Sequence, residues 1–218
     1  MSRAKLPRKS TNIDMTAMCD VAFLLLSFFI LTTKFKPTEA ITVTTPSSVA
    51  SKVAPDKDIV LITIDKNGKV FLGLDDEDIK GAMVDIINKQ KNVSLDASAF
   101  KKAEFYGTPF SQLSQFLKIP KEDLKGDALP GIPVDSTKGP NEMIEWMGII
   151  HTAYENSGGK KINILLKGDN DSKYPSFDAV VKALKKNDFL KFQMVTNPEA
   201  VPIGSDLYKQ PREDDSKK

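Results

Sequence analysis

The chain has 218 residues, 40% apolar and 28% charged, and its 31 Lys and Arg against 29 Asp and Glu leave a net charge of +2. That balance excludes a polytopic transporter and offers no strongly basic surface for nucleic acid. A single cysteine, Cys19, excludes an intrachain disulfide, and a single histidine, His151, excludes HExxH and His-rich metal sites.

Residues 1–14 form a basic tail, with Arg3, Lys5, Arg8 and Lys9 against Asp14. Next comes an apolar stretch predicted to span a membrane over 15–35. Its uncharged core, Met15 to Thr33, is broken only by Asp20. As a helix this core covers about 28 Å, close to the roughly 30 Å hydrocarbon thickness of a bilayer. A cleaved signal peptide fits poorly, because its apolar region is shorter, tolerates a carboxylate badly and ends at an A-x-A site that LTTKFKP does not offer. A basic tail before an uncleaved span is the pattern of a signal anchor. It predicts a single-pass protein with the N-terminus in the cytoplasm and everything after Thr33 exported, which in a double-membraned bacterium places that part in the periplasm.

Asp20 is costly in that position, by about 2.5–3.5 kcal/mol on an insertion scale. In a single-span anchor nothing in the same chain can neutralise it, so it implies a partner within the lipid bilayer. Thr16 and Ser27 fall within about 40° of Asp20 around a helix, making one polar stripe suited to face protein or water. Two readings stand. Either Asp20, only about 7–8 Å past Met15, snorkels to the interface or forms a static ion pair, or it exchanges a proton with a pathway across the membrane. Each proton moved down 100 mV releases about 2.3 kcal/mol.

Residues 36–56 read as a flexible periplasmic linker, with Pro37, Pro46 and Pro55 among many Ser and Thr. One piece is an exception. Ile41, Thr42, Val43, Thr44, Thr45 and Pro46 favour an extended conformation able to pair with a sheet edge of a partner or of a dimer mate. An α/β domain is predicted over 57–198. It starts with a hairpin of strands 59–65 and 70–73 around Asn67-Gly68. A helix over 77–89 follows, behind Asp75 and Asp76 as capping residues. Then come a helix over 141–156, a strand over 162–167, a helix over 176–187 and a strand over 191–195. Residues 92–140 contain Phe100, Phe105, Phe110 and Phe116 but are broken by five prolines, which predicts a packed insertion with one or two short helices. The tail 199–218 is polar and predicted to be disordered.

No catalytic grammar is present: the chain has no phosphate loop, no nucleophile elbow and no CxxC pair, so it reads as a non-enzyme without cofactor or metal. The run 169–174, DNDSKY, departs from a calcium loop at Lys173 and Tyr174. His151 has no nucleophile motif beside it and reads as a solvated or packing residue. The acidic run 75–78 is accounted for by the dipole of the helix it opens.

The run NIDMTAMCDVAFLLLSFFILTTKFKP resembles the N-terminal signature of the ExbD/TolR family, with Ala17 replacing the usual proline after Thr16. Further on, LLKGDNDSKYPSFDAVVKALKKNDFLKFQMVT resembles the family's strand, acidic turn, helix and final strand, with Asp169 and Tyr174 on its typical positions. The middle section, with Gly131-Ile132-Pro133 and Trp146, is similar to a longer ExbD variety. The resemblance implies a single transmembrane helix and a small periplasmic α/β domain with helices on one face of a sheet. It implies that Asp20 carries protons, and that a homodimer places its helices inside an ExbB-like pentamer and passes energy to a TonB-like protein. A TolR-type role in envelope integrity, with peptidoglycan binding, is the alternative. A membrane-anchored binding module without a proton role is the third.

Overall fold

The hairpin around Asn67-Gly68 lies at the centre of the fold. Gly68 adopts φ +79°, the left-handed conformation that such a turn requires of it. The Asp65 side chain, 5% exposed, secures the turn by accepting from the backbone N–H groups of Asn67 at 2.9 Å and Lys69 at 2.7 Å. The computed structural model describes residues 15–32, 41–49, 55, 57–120, 123–135, 139–159 and 161–203. It divides the chain into two compact units, residues 1–39 and 40–218.

In the first unit, helix α1 runs Met15–Thr32 and buries none of its residues. Predicted positions 33–35 of the span lie outside the described residues.

The second unit is built on a five-stranded sheet whose strands lie in the order β4 (Phe105–Tyr106), β3 (Val70–Leu74), β2 (Ile59–Ile64), β5 (Asn163–Gly168) and β6 (Gln193–Val195). Strands β2 (Ile59–Ile64) and β3 (Val70–Leu74) are antiparallel, and β5 (Asn163–Gly168) and β6 (Gln193–Val195) extend the sheet in parallel from β2. The register pairs Ile62 with both Leu72 and Leu166, so alternate residues of three strands share one face. Those residues are buried, and they join one core with α2 (Glu77–Lys91), α5 (Glu142–Asn156) and α6 (Tyr174–Lys186). At roughly 25 cal/mol per Å² of apolar area, this burial is the main force holding sheet and helices together.

The helix boundaries follow local chemistry. Asp76 rather than Asp75 caps α2, accepting from the N–H groups of Asp78 and Ile79. Asn141 caps α5 by accepting from Met143 N–H. Helix α6 begins at Tyr174, two residues earlier than predicted, because Pro175 suits the first helical turn.

The insertion is part of the core. It contains helices α3 (Ala97–Lys102) and α4 (Leu113–Phe116), and also a strand, β4 (Phe105–Tyr106), which pairs with β3 and was not predicted. Phe105 lies opposite Gly73, on the sheet face away from the main helices, and its ring meets Phe71 edge-on at 6.0 Å. A Cβ on Gly107 would lie 2.3 Å from the Phe71 ring, so only glycine fits there. On the other side, Trp146 of α5 is fully buried and stacks with Phe110 at 4.7 Å and Tyr106 at 5.4 Å.

Two polar ties hold the insertion in place. Lys80 of α2 is 5% exposed and its Nζ donates to the carbonyls of Ala103 at 2.7 Å and Lys101 at 3.2 Å, at the negative end of α3. Glu142, opening α5, accepts from Phe110 N–H at 2.9 Å, while its own N–H donates to Pro133 O at 2.9 Å. Burial pushes the Glu142 carboxyl up; the Phe110 hydrogen bond and Lys91 oppose this, and Glu145 adds to it. A folded-state value above the unfolded one means that the folded state binds the proton more readily. The contribution to stability is therefore largest in acid and is lost as pH rises through the folded value. Glu142→Gln keeps an oxygen that can accept from Phe110, so at neutral pH its melting temperature should equal or slightly exceed that of the parent, and the difference should close on acidification. Thermal melts of both proteins across that range check this, and a Gln variant clearly less stable at neutral pH would contradict it.

Candidate functional site

The first candidate lies on α1. Asp20 is its only acidic or basic residue, and Thr16 precedes it by one turn. The Ser27 hydroxyl donates to Leu24 O at 2.9 Å within the helix. Its proton is thereby spent on the helix's own backbone, while its oxygen can still accept. The rest of α1 is apolar but for Thr32 at its end, and its eighteen residues at 1.5 Å rise cover about 27 Å.

The second candidate lies where β5 ends. Asp169 N–H donates to Ile64 O at 2.9 Å, fixing the residue directly beyond the strand. Its carboxylate is 9% exposed; one oxygen accepts from Asp171 N–H and the other from Thr44 N–H, both at 2.9 Å. Asn170 N–H then donates to Thr44 O at 2.8 Å, so Thr44 is held at both backbone atoms. The chain from Ile41 onward runs along the domain as a strap. Asn197 donates from its side chain to Thr45 O at 3.0 Å and from its backbone to Pro46 O at 2.9 Å. Strand β1 (Ser47–Ser48) pairs in parallel with β7 (Asn197–Pro198).

Much of the expected tether is thus seated on the chain's own domain. Extended, β-branched residues with no helix of their own have unpaired backbone groups, and Asp169, Asn170 and Asn197 supply the partners. Thr45 is buried and Ile41 packs on the core. Linker residues 36–40, 50–54 and 56 lie outside the described residues, as does the tail from 204. Asp169 and Tyr174 have different surroundings: Tyr174 is 72% exposed, with only a tilted ring contact to Phe177 at 6.2 Å. His151 stands at the surface, its ring edge-on to Phe189 at 5.5 Å and Nδ1 3.4 Å from the Glu155 carboxylate. No cluster of metal-ligating side chains occurs among the described residues.

Sequence reasoning missed Asn170 and Asn197 as holders of the strap. The only signals were the Asp-Asn-Asp turn chemistry at 169–171 and an Asn-Pro step just past the predicted strand 191–195.

Hydrogen bonds to a charged acceptor contribute about 1.5–3 kcal/mol. Asp169→Ala should therefore speed amide exchange at Thr44 by roughly tenfold to hundredfold while protection in β2 and β5 is kept. Exchange measured by mass spectrometry decides this, and unchanged protection at Thr44 would show that the Asn197 contacts alone hold the strap.

A mixed α/β domain with a strapped edge, carried behind one apolar helix long enough to cross a membrane, defines the class. The family model for the biopolymer transport protein ExbD/TolR matches residues 7–199, and the chain belongs to that family. No curated protein and no solved structure matched the chain in the same comparisons. The family is a non-enzymatic one anchored in the inner membrane, and membership supports a role in energy transduction for biopolymer transport with membrane partners of the ExbB/TolQ kind.

Proposed function

We propose that this chain is an ExbD-type subunit that couples proton passage at Asp20 to energised transport across the outer membrane. The observation that carries the reading is the placement of one carboxylate on an otherwise uncharged helix of membrane-spanning length. A lipid-facing carboxylate has no solvation, so Asp20, Thr16 and Ser27 face a partner helix bundle in this reading, an ExbB-like pentamer surrounding a homodimer of this chain. Protonation removes the charge and deprotonation restores it, which changes the preferred position of α1 against the bundle. The movement is passed along residues 33–40 to the strap and the periplasmic domain. The strap residues 41–46, with Asp169 as their latch, are the segment we assign to strand pairing with a dimer mate or a TonB-like protein. Tyr174, exposed at the start of α6, is a contact residue for the same partner in this reading.

Two measurements test the proposal. A reporter fused after Lys36 should be exported, and one fused before Asn12 should remain cytoplasmic. Purification of the chain from its own membranes should bring down an ExbB-like protein together with a TonB-like one. Retention of a TolA-like protein or of peptidoglycan in place of the TonB-like protein would assign the TolR-type role instead.

A further inference from the structure

We propose that the segment from Lys185 to Met194, joining α6 to β6, docks on an anionic lipid surface. Leu190 is 75% exposed and Met194 is 50% exposed, although both sit in well-anchored backbone. Phe189 N–H donates to Leu184 O at 3.0 Å, Phe189 and Phe192 pack against the core, and Met194 lies in β6 opposite Leu166. The two apolar side chains are therefore presented rigidly and not left on a floppy loop. Around them, Lys185, Lys186 and Lys191 are exposed, with Asp188 the one exposed acid in the segment. Exposed Leu and Met among three exposed lysines is the chemistry of an interfacial anchor: the apolar groups enter the headgroup boundary and the ammonium groups meet lipid phosphates.

Charge separates this occupant from a second copy of the chain. A symmetric contact through the same segment would set three lysines of one copy against the same three of the other, whereas an anionic bilayer complements them. The proposal rests on the reading of α1 as a membrane span. Each lysine near an anionic surface strengthens association by about fivefold, which is weak for a free domain and sufficient for one already tethered at high effective concentration.

The test uses the full chain in lipid nanodiscs, carrying Cys19→Ser and Leu190→Cys, with an environment-sensitive fluorophore on the new thiol. Anionic nanodiscs rich in phosphatidylglycerol should give a blue-shifted emission relative to purely zwitterionic ones. The shift should be lost at about 0.5 M salt, where charges are screened within a few ångströms, and in Lys185→Gln/Lys186→Gln/Lys191→Gln. Incorporation with identical emission in both lipids overturns the docking alone. A blue shift of equal size in both lipids that survives salt reports contact with protein, such as a second copy, and also overturns it. Failure of the chain to incorporate overturns the span reading and this proposal with it.

Discussion

Asp20→Asn is expected to abolish energy-dependent uptake while leaving the protein inserted in the membrane and bound to its ExbB-like partner. Asn keeps the size and much of the polarity of Asp but cannot exchange a proton at physiological pH, so the substitution separates titration from packing. Removing the carboxylate also removes an insertion cost of about 2.5–3.5 kcal/mol, so assembly should not suffer. Asp20→Glu should keep at most part of the function, since the added methylene moves the carboxyl by roughly 1–1.5 Å, enough to upset a positioned relay. A static ion pair at Asp20 would reverse the order, with Glu close to normal and Asn failing through lost assembly. Co-purification and uptake measured on the same two variants distinguish these outcomes, and a fully active Asn variant would end the proton-carrier reading.

Trp146→Ala is expected to produce the largest loss of stability in the periplasmic domain, about 3–5 kcal/mol for a buried large aromatic. That is a substantial share of the roughly 5–15 kcal/mol that holds an ordinary domain together. Trp146 supports Phe110 and Tyr106 on its ring faces, so its removal should loosen the insertion first. Protease cleavage within 97–134 should then appear at denaturant concentrations where the parent is resistant. Trp146→Phe should cost clearly less. The indole N–H is buried without a hydrogen-bond partner among the described residues, so a phenyl ring removes volume but breaks no bond there. Urea unfolding of both variants, followed by near-UV circular dichroism and by proteolysis, measures the difference. Equal losses for Phe and Ala would mean that the N–H is bonded in solution, for example to a buried water.

The insertion illustrates why local patterns run out. Its four phenylalanines announce burial, and the prediction of a packed piece with short helices agrees with α3 and α4. Nothing local announces that Phe105 and Tyr106 extend the main sheet, because a two-residue strand has no period to read. Lys80 is similar: on the helical wheel of α2 it is one more lysine, and only the approach of α3 gives its ammonium two carbonyls to bond.

By itself the sequence determined the membrane-length helix and its lone carboxylate, the Asn67-Gly68 hairpin and the amphipathic helices α2, α5 and α6. Each of these arises from neighbours in the chain, through helical or alternating periodicity, a capping side chain or a turn residue, and so is written in adjacent positions. Tertiary structure alone decided that residues 41–48 lie on their own domain and that Asp169 is the latch holding Thr44 across 125 positions of sequence. An extended backbone has donors and acceptors that any edge can satisfy, and which edge wins depends on where folding brings a buried carboxylate and two asparagines together.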